Sequence, residues 1–360
     1  MYAALALAGV RGSLAGMLAR PFLLWILLPI LTSCAQPQWQ LQADEVGTPR
    51  LLQDHIVMAD GYRLPLSITV TVPQDRPRAI LLGLHGFNDY HNAFRAPAAF
   101  FADRGVLTVA YDQRGFGATE QRGLWPGHDV LTSDAVTIAS LVCAAYPGIP
   151  LFLLGESMGG AIALQAMQAG LPDCVHGVIL AAPAVWGWSA MPWWQALVLR
   201  TAAHLLPGKT VTGEGLDITP SDNVEMLRAL GRDPLVIKAT RIDTIYGLTD
   251  LMELASRPAL PAALPVLLLY GEQDQIIPPG AMCDLLDRLR DAQDSHWSMA
   301  LYPQGYHMLT RDLQAEVVFR DILSWLLDRD ARLPSGQSVV LSSSGRVAAM
   351  CGTGRSYLAG

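Results

Sequence analysis

No dense block of lysine or arginine interrupts the 360-residue chain, and its formal net charge is -7. That excludes nucleic acid or a strongly anionic surface as the main partner. Close cysteine pairs and metal-like spacings are also lacking among the five cysteines, so no metal centre is expected. The nucleotide motifs are incomplete: Gly208-Lys209-Thr210 has Ala203 where a phosphate-binding loop needs glycine, and "GFGATE" lacks the third glycine of a dinucleotide fingerprint. The chain is therefore expected to work without cofactor or metal. What it has in quantity is apolar residues, 51% of the total, enough for a large buried core.

The N-terminal apolar run "PFLLWILLPIL", Pro21–Leu31, is too short for a membrane span of roughly 20 residues. Preceded by Arg11 and Arg20 and followed by "TSCAQPQWQLQADE", it has the layout of an export signal, with Met1 or Met17 as start. "LTSC" resembles the lipobox of bacterial lipoproteins, which implies removal of residues 1–33 and a lipid on Cys34. The expectation is an exported protein, held on a membrane of the bacterial cell envelope on the periplasmic side or at the outer membrane. Cys143, Cys174, Cys283 and Cys351 are then expected as buried free thiols in helices, since a domain of this size does not need a disulfide.

After a polar linker over 34–50, "HIVMADGYRLPLSITVTV" predicts a hairpin turning at Asp60-Gly61. "RAILLGLHG", "GVLTVAYD", "IPLFLLGES", "HGVILAAPA", "PVLLLYGEQD" and "HWSMALYP" are near-continuous apolar runs, as in strands buried on both faces. Helix-like stretches alternate with them, so 51–330 reads as an α/β domain, its mostly parallel central sheet covered by helices on both faces. The alternation breaks over about 185–262, a helical cap insertion without a convincing strand. Residues 331–360 are Ser/Gly-rich and are expected to be disordered.

Within "LFLLGESMGGAIAL", Ser157 lies in Gly155-Glu156-Ser157-Met158-Gly159, at the joint between a strand and a helix. This G-x-S-x-G context is a nucleophile elbow: glycines clear space for a strained turn that points Oγ outward at a helix N-terminus. Serine needs a base and an orienting acid, which follow on such a fold in the order acid, then histidine. Among the later histidines, His204 falls in the insertion and His296 enters a strand, whereas His307 in "YPQGYHMLTRD" sits in a loop beyond a strand. Asp274 in "GEQDQIIPP" lies just past a buried strand's C-terminal end and is preferred to Glu272. The amides of Met158 and of Phe87, in "LHGFNDYHNAF", would form the oxyanion hole, with His85 as a structural histidine.

Taken with "AYDQRGFGATE", "AAPAVWG" and "DPL" at 233–235, these motifs resemble the α/β-hydrolase superfamily, and within it the monoacylglycerol lipase and lysophospholipase-like group that shares a profile with S33 serine aminopeptidases. The resemblance covers about Leu51 to Asp328. It implies a triad of Ser157, Asp274 and His307, oxyanion amides at Phe87 and Met158, and a lid formed by the insertion. Glu156 is a departure, because many relatives carry histidine there. Trp186, Trp188, Trp193 and Trp194 with Met191 and Leu197 to Leu199 give the insertion an apolar character suited to an acyl chain. The expected activity is hydrolysis of lipid-like esters, monoacylglycerol or lysophospholipid, through an acyl-serine. A serine aminopeptidase is the alternative, weakened because 185–209 carries no carboxylate to hold a free ammonium, although Glu214 and Asp217 follow. A non-catalytic binding protein on the same fold is the other.

Overall fold

The computed structural model describes residues 36–41, 43–70, 76–257, 264–291, 296–339 and 345–354. Cys34 and the apolar run before it lie outside the described residues. Twelve strands occur among the described residues: β1 (Arg50–Leu51), β2 (His55–Val57), β3 (Arg63–Thr69), β4 (Ala79–Leu84), β5 (Val106–Tyr111), β6 (Leu151–Glu156), β7 (Val175–Ala181), β8 (Thr210–Thr212), β9 (Ala239–Arg241), β10 (Val266–Gly271), β11 (Trp297–Tyr302) and β12 (Ser338–Val339). The helices are α1 (Arg95–Ala102), α2 (His128–Ala145), α3 (Met158–Ala169), α4 (Trp193–Leu205), α5 (Val224–Arg232), α6 (Ile242–Ala255), α7 (Pro279–Asp291), α8 (Ala315–Leu327) and α9 (Gly345–Gly354).

Ten strands form one sheet in the order β1-β2-β3-β5-β4-β6-β7-β10-β11-β12. From β5 to β11 every pairing is parallel. The apolar runs split by alternation, as strands buried on both faces must. Ile80, Leu82, Leu84, Leu151, Leu153, Leu268 and Tyr270 enter one core with α2, α3, α6 and α7. Leu81, Phe152, Leu154, Leu267 and Leu269 enter the other, packed on Phe101 of α1 and on Phe319, Ile322 and Trp325 of α8. Each such buried Leu, Ile or Phe contributes about 1.5–3 kcal/mol. β5 lies on one side of β4 and β6 on the other, so the winding direction reverses there, and open α/β sheets bind ligands at the C-terminal strand ends beside such a point.

Three expectations are corrected. The insertion does contain strands: β8 and β9 pair antiparallel, Thr210 with Arg241 and Thr212 with Ala239. Their three-residue length and partly exposed faces left no apolar run to read. The four thiols are not free, because Cys143 pairs with Cys174 and Cys283 with Cys351, at Cα separations of 6.1 and 5.6 Å. Partners 31 and 68 residues apart meet only once the chain has folded, and Cys174 lies in the turn before β7 rather than in a helix. The tail is also not structureless where it is described. β12 pairs antiparallel with β11, and α9 lies on α7 with Val347 fully buried and Cys351 bridged to Cys283.

The insertion's aromatic cluster divides. Trp186 and Leu199 are buried, and Trp188 packs beside Ile242 and Ile245, with its Nε1 donating to Asp250 at 2.7 Å. Trp193, Trp194 and Leu197 face outward, Trp193 with 77% of its surface exposed. The insertion is thus apolar on its outer side as well as within.

Candidate active site

β6 ends at Glu156, α3 starts at Met158, and Ser157 joins them at φ 53° and ψ -113°. An L-residue held there costs on the order of 1–3 kcal/mol, so the surroundings must enforce it. They do so by hydrogen bonds: Ser157 N donates to Ala181 O at 2.9 Å, and Ser157 O accepts from Ala184 N and Ala161 N at 2.9 and 3.1 Å. The flanking glycines are a steric requirement. A Cβ at Gly155 would press on the backbone of Gly159 and Gly160, and one at Gly159 would meet the carbonyl oxygens of Leu84 and His85.

Past β10 the chain turns back on itself, with Asp274 N donating to Gly271 O at 3.1 Å. Asp274 Oδ1 accepts from Ile276 N and Ile277 N at 2.7 and 3.0 Å, which aims Oδ2 at His307 Nδ1, 2.9 Å away. Both side chains are buried. Burial alone would push the imidazole of His307 down. The charge and hydrogen bond of Asp274, aided by the charge of Glu156 and opposed by that of Arg311, outweigh it and hold His307 above its ordinary value. Nδ1 bonded to a carboxylate leaves Nε2 to act as base.

The structure joins Asp274 to His307 directly and links Ser157 to them through its neighbour in the chain. Ser157 Oγ has no hydrogen-bond partner among the described residues. Such bonds are often open before substrate arrives. Its neighbour Glu156 accepts from Thr310 Oγ1 at 2.8 Å and from Arg311 Nη2 at 2.6 Å, docking the loop that carries His307 against the elbow. His176 also follows Ser157, but it is exposed near the start of β7, at the other end of the sheet.

The loop after β4 runs against the serine, with the Cβ position of Gly86 3.5 Å from Ser157 Cβ. His85 fixes this loop. Its Nε2 accepts from Gln113 N at 3.0 Å, its Nδ1 donates to Gly86 O at 2.8 Å, and its own carbonyl accepts from Gln113 Nε2 at 2.8 Å. Burial pushes its imidazole down, as suits a neutral structural ring. The Phe87 N–H has no hydrogen-bond partner among the described residues. Met158 opens α3, where first-turn N–H groups lack intrahelical acceptors. Both amides are available for a developing negative charge.

Several residues here went unread in the sequence. Arg311 bridges Glu156 and Asp89, the latter at 2.6 Å. Asp312 accepts from Ser221 Oγ at 2.6 Å and from Tyr306 N at 2.8 Å, and burial pushes its carboxyl up to about 6. Ser221 belongs to the cap, which is fastened here again by Met308 N to Pro220 O and by Asn223 Nδ2 to Arg311 O, at 3.1 and 3.0 Å. Tyr306 apart, the partners are 88 to 222 residues away in sequence, so nothing near Arg311 announces these contacts. Among the described residues no group of three or more His, Cys, Asp or Glu is placed to hold a metal ion.

The monoacylglycerol lipase of Mycolicibacterium smegmatis is 28% identical over 265 residues, covering 72% of this chain and 91% of that protein. Monoglyceride lipase of Homo sapiens is 28% identical over 289 residues, 77% of this chain and 91% of the relative. A crystal structure of a soluble variant of monoglyceride lipase from Saccharomyces cerevisiae, in complex with a substrate analogue, has the same fold. It superposes with a TM-score of 0.64 at 22% identity, over 81% of this chain and 98% of that one. The profile of the S33 serine aminopeptidases matches residues 75–314, from just before β4 to the loop beyond His307, and includes the elbow and the turn that carries Asp274. On that match the chain belongs to the serine aminopeptidase S33 family of α/β hydrolases.

Proposed function

We propose that the protein hydrolyses carboxylic esters of the monoacylglycerol type, with lysophospholipids as the neighbouring substrate class. The observation that carries the reading is the buried Asp274–His307 pair, docked through Glu156 onto the strained turn that presents Ser157. The monoacylglycerol and monoglyceride lipases among its relatives point to the ester class.

In this reading His307 Nε2 takes the proton from Ser157 Oγ as Oγ bonds to the ester carbonyl carbon. The amides of Phe87 and Met158 receive the charge on the carbonyl oxygen, each worth about 100- to 1000-fold in rate. The C–O bond to the alcohol then breaks, and His307 returns its proton to the leaving glycerol oxygen. Water, deprotonated by the same imidazole, releases the fatty acid and restores the serine. Asp274 keeps the ring in the required tautomer and stabilises its cation without taking the proton.

Access to lipid is supported by the outward Trp193, Trp194 and Leu197 on α4, an apolar patch of the kind that meets a lipid surface. We also propose export to the bacterial cell envelope with a lipid on Cys34, on the sequence "LTSC". The two disulfides support an oxidising compartment. Loss of fatty-acid probe incorporation in Cys34→Ala tests the anchor, and unchanged incorporation overturns it.

The activity is tested with a fluorophosphonate on wild type and Ser157→Ala, followed by a panel of monoacylglycerols, lysophospholipids, short p-nitrophenyl esters and aminoacyl amides. Labelling lost in the variant and turnover of monoacylglycerols are expected. A folded wild type that is not labelled leaves a binding protein, and turnover confined to aminoacyl amides makes it a peptidase.

A further inference from the structure

Arg311 lies four residues beyond His307, and its guanidinium reaches two other loops. Nη1 donates to Asp89 Oδ2 and Nη2 to Glu156 Oε1, both at 2.6 Å. Asp89 is two residues beyond Phe87, and Glu156 immediately precedes Ser157. One planar group therefore spans the base loop, the oxyanion loop and the nucleophile elbow. Thr310 Oγ1 adds a bond to the second oxygen of Glu156, and all three charged side chains are at most 8% exposed.

Stability gives a poor reason for such a cluster. A buried ion group is on average no better than apolar residues of the same volume. Here Arg311 Nε is buried without a hydrogen-bond partner among the described residues, a further cost. What apolar side chains could not supply is direction: a two-pronged donor sets the angle and spacing of the two carboxylates it joins.

We propose that Arg311 is a positioning residue whose fork on Glu156 and Asp89 holds the base loop, the elbow and the oxyanion loop in register, and that Glu156 and Arg311 together set the charge His307 works against. The charged groups acting on His307 are Asp274 from the turn after β10, Glu156 from the end of β6 and Arg311 from its own loop. Two carboxylates, Glu156 and Asp89, share one guanidinium, so the cluster carries a net negative charge. Glu156 favours the protonated imidazole and Arg311 opposes it. The inference rests on the reading of Ser157 and His307 as nucleophile and base.

The test is kcat/KM against pH for the full-length protein and four variants on a soluble p-nitrophenyl ester, with KM and thermal midpoint beside it. Glu156→Gln removes the negative charge, and its acid limb is expected at lower pH than wild type. Arg311→Met removes the positive charge, so its limb is expected at higher pH. Its plateau should fall about 100-fold through kcat, the size of effect that a misplacement near 1 Å produces. Arg311→Lys keeps the charge but loses the fork, so the plateau falls while the limb stays near wild type. The double variant Glu156→Gln/Arg311→Met brings the limb back towards wild type.

A merely structural role lowers the thermal midpoint without separating the limbs. Glu156→Gln and Arg311→Met limbs that coincide with wild type or move in the same direction as each other, or a wild-type plateau in Arg311→Met, overturn the proposal. Should Arg311→Met not fold, an unmoved limb in Glu156→Gln or an unchanged plateau in Arg311→Lys does so. Fluorophosphonate labelling separates the two levels: an unlabelled wild type sinks the triad reading itself, whereas a labelled wild type with unmoved limbs sinks this inference alone.

Discussion

A single methyl group at Gly159 should disable the enzyme while leaving every proposed catalytic residue in place. In Gly159→Ala the added Cβ would lie 2.9 Å from His85 O and closer still to Leu84 O, when real Cβ atoms essentially never approach within 3.0 Å. Neither oxygen can turn away, because both are backbone atoms of the β4 end and Gln113 Nε2 donates to His85 O. The clash must be relieved by moving α3 and the β4 end apart by about 1 Å, a displacement that can cost on the order of 100-fold in rate. The amides of Met158 and Phe87 sit on opposite sides of this contact, so their spacing is what changes. Overpacking adds a destabilisation of about 1–3 kcal/mol. The assay is kcat/KM on a p-nitrophenyl ester, corrected for sites titrated by a fluorophosphonate, with Gly47→Ala as control because nothing lies within 4 Å of that position. A Gly159→Ala enzyme within about threefold of wild type, at an unchanged thermal midpoint, would refute the steric account of the elbow.

Because His307 must be neutral to accept a proton and is held above its ordinary 6.5, kcat/KM should fall on acidification through a pH above 6.5. A limb below that value contradicts the balance of charges around the ring. The same raised affinity stabilises the fold most below pH 6.5 and is lost as pH rises through the folded value. Asp274→Asn should cost roughly 10000-fold in kcat with little change in KM, since the wrong tautomer is then favoured; steady-state kinetics at saturating ester decide it. Cys283→Ser should lower stability by about 2–4 kcal/mol, read from a chemical denaturation midpoint, and an unchanged midpoint would show that the bridge closes nothing the packing does not already hold.

The central sheet was legible because its strands are buried on both faces and therefore spelled as unbroken apolar runs, from "RAILLGL" to "VLLLYG". Ser157 was legible because glycines on either side of a strand-to-helix joint leave few other readings. The pairing of Asp274 with His307 was legible from chain order and their place after β10 and β11. The β8–β9 ribbon was not, since three half-exposed residues per strand carry no pattern. Cys143 and Cys174 meet through the packing of α2 against the approach to β7, which spacing alone does not disclose. Arg311 looked like any loop arginine, for its value lies in two carboxylates that only the folded loops bring to it. The tryptophans of the cap were read as one apolar group, whereas Trp186 lies in the buried segment after β7 and Trp193 stands exposed at the start of α4.

The C-terminal segment closes one edge of the sheet as well as packing on its helices. Where Ser338 and Val339 lie along Ala300 and Met299, they occupy hydrogen-bonding groups that would otherwise form the sheet's bare margin. A bare margin is a template for a strand from another molecule. Arg346 clips this border strip to Glu272 and to Leu301 O, both at 2.7 Å, and the Cys283–Cys351 bridge fastens its far end. The family match stops at residue 314, before α8 and before this strip. A protein trimmed to the matched region would lose Trp325 from its core, and one trimmed after α8 would lose Leu333, Val347 and the Cys283–Cys351 bridge and expose β11 to self-pairing; the first should fail to fold and the second should fold with lower stability and then precipitate.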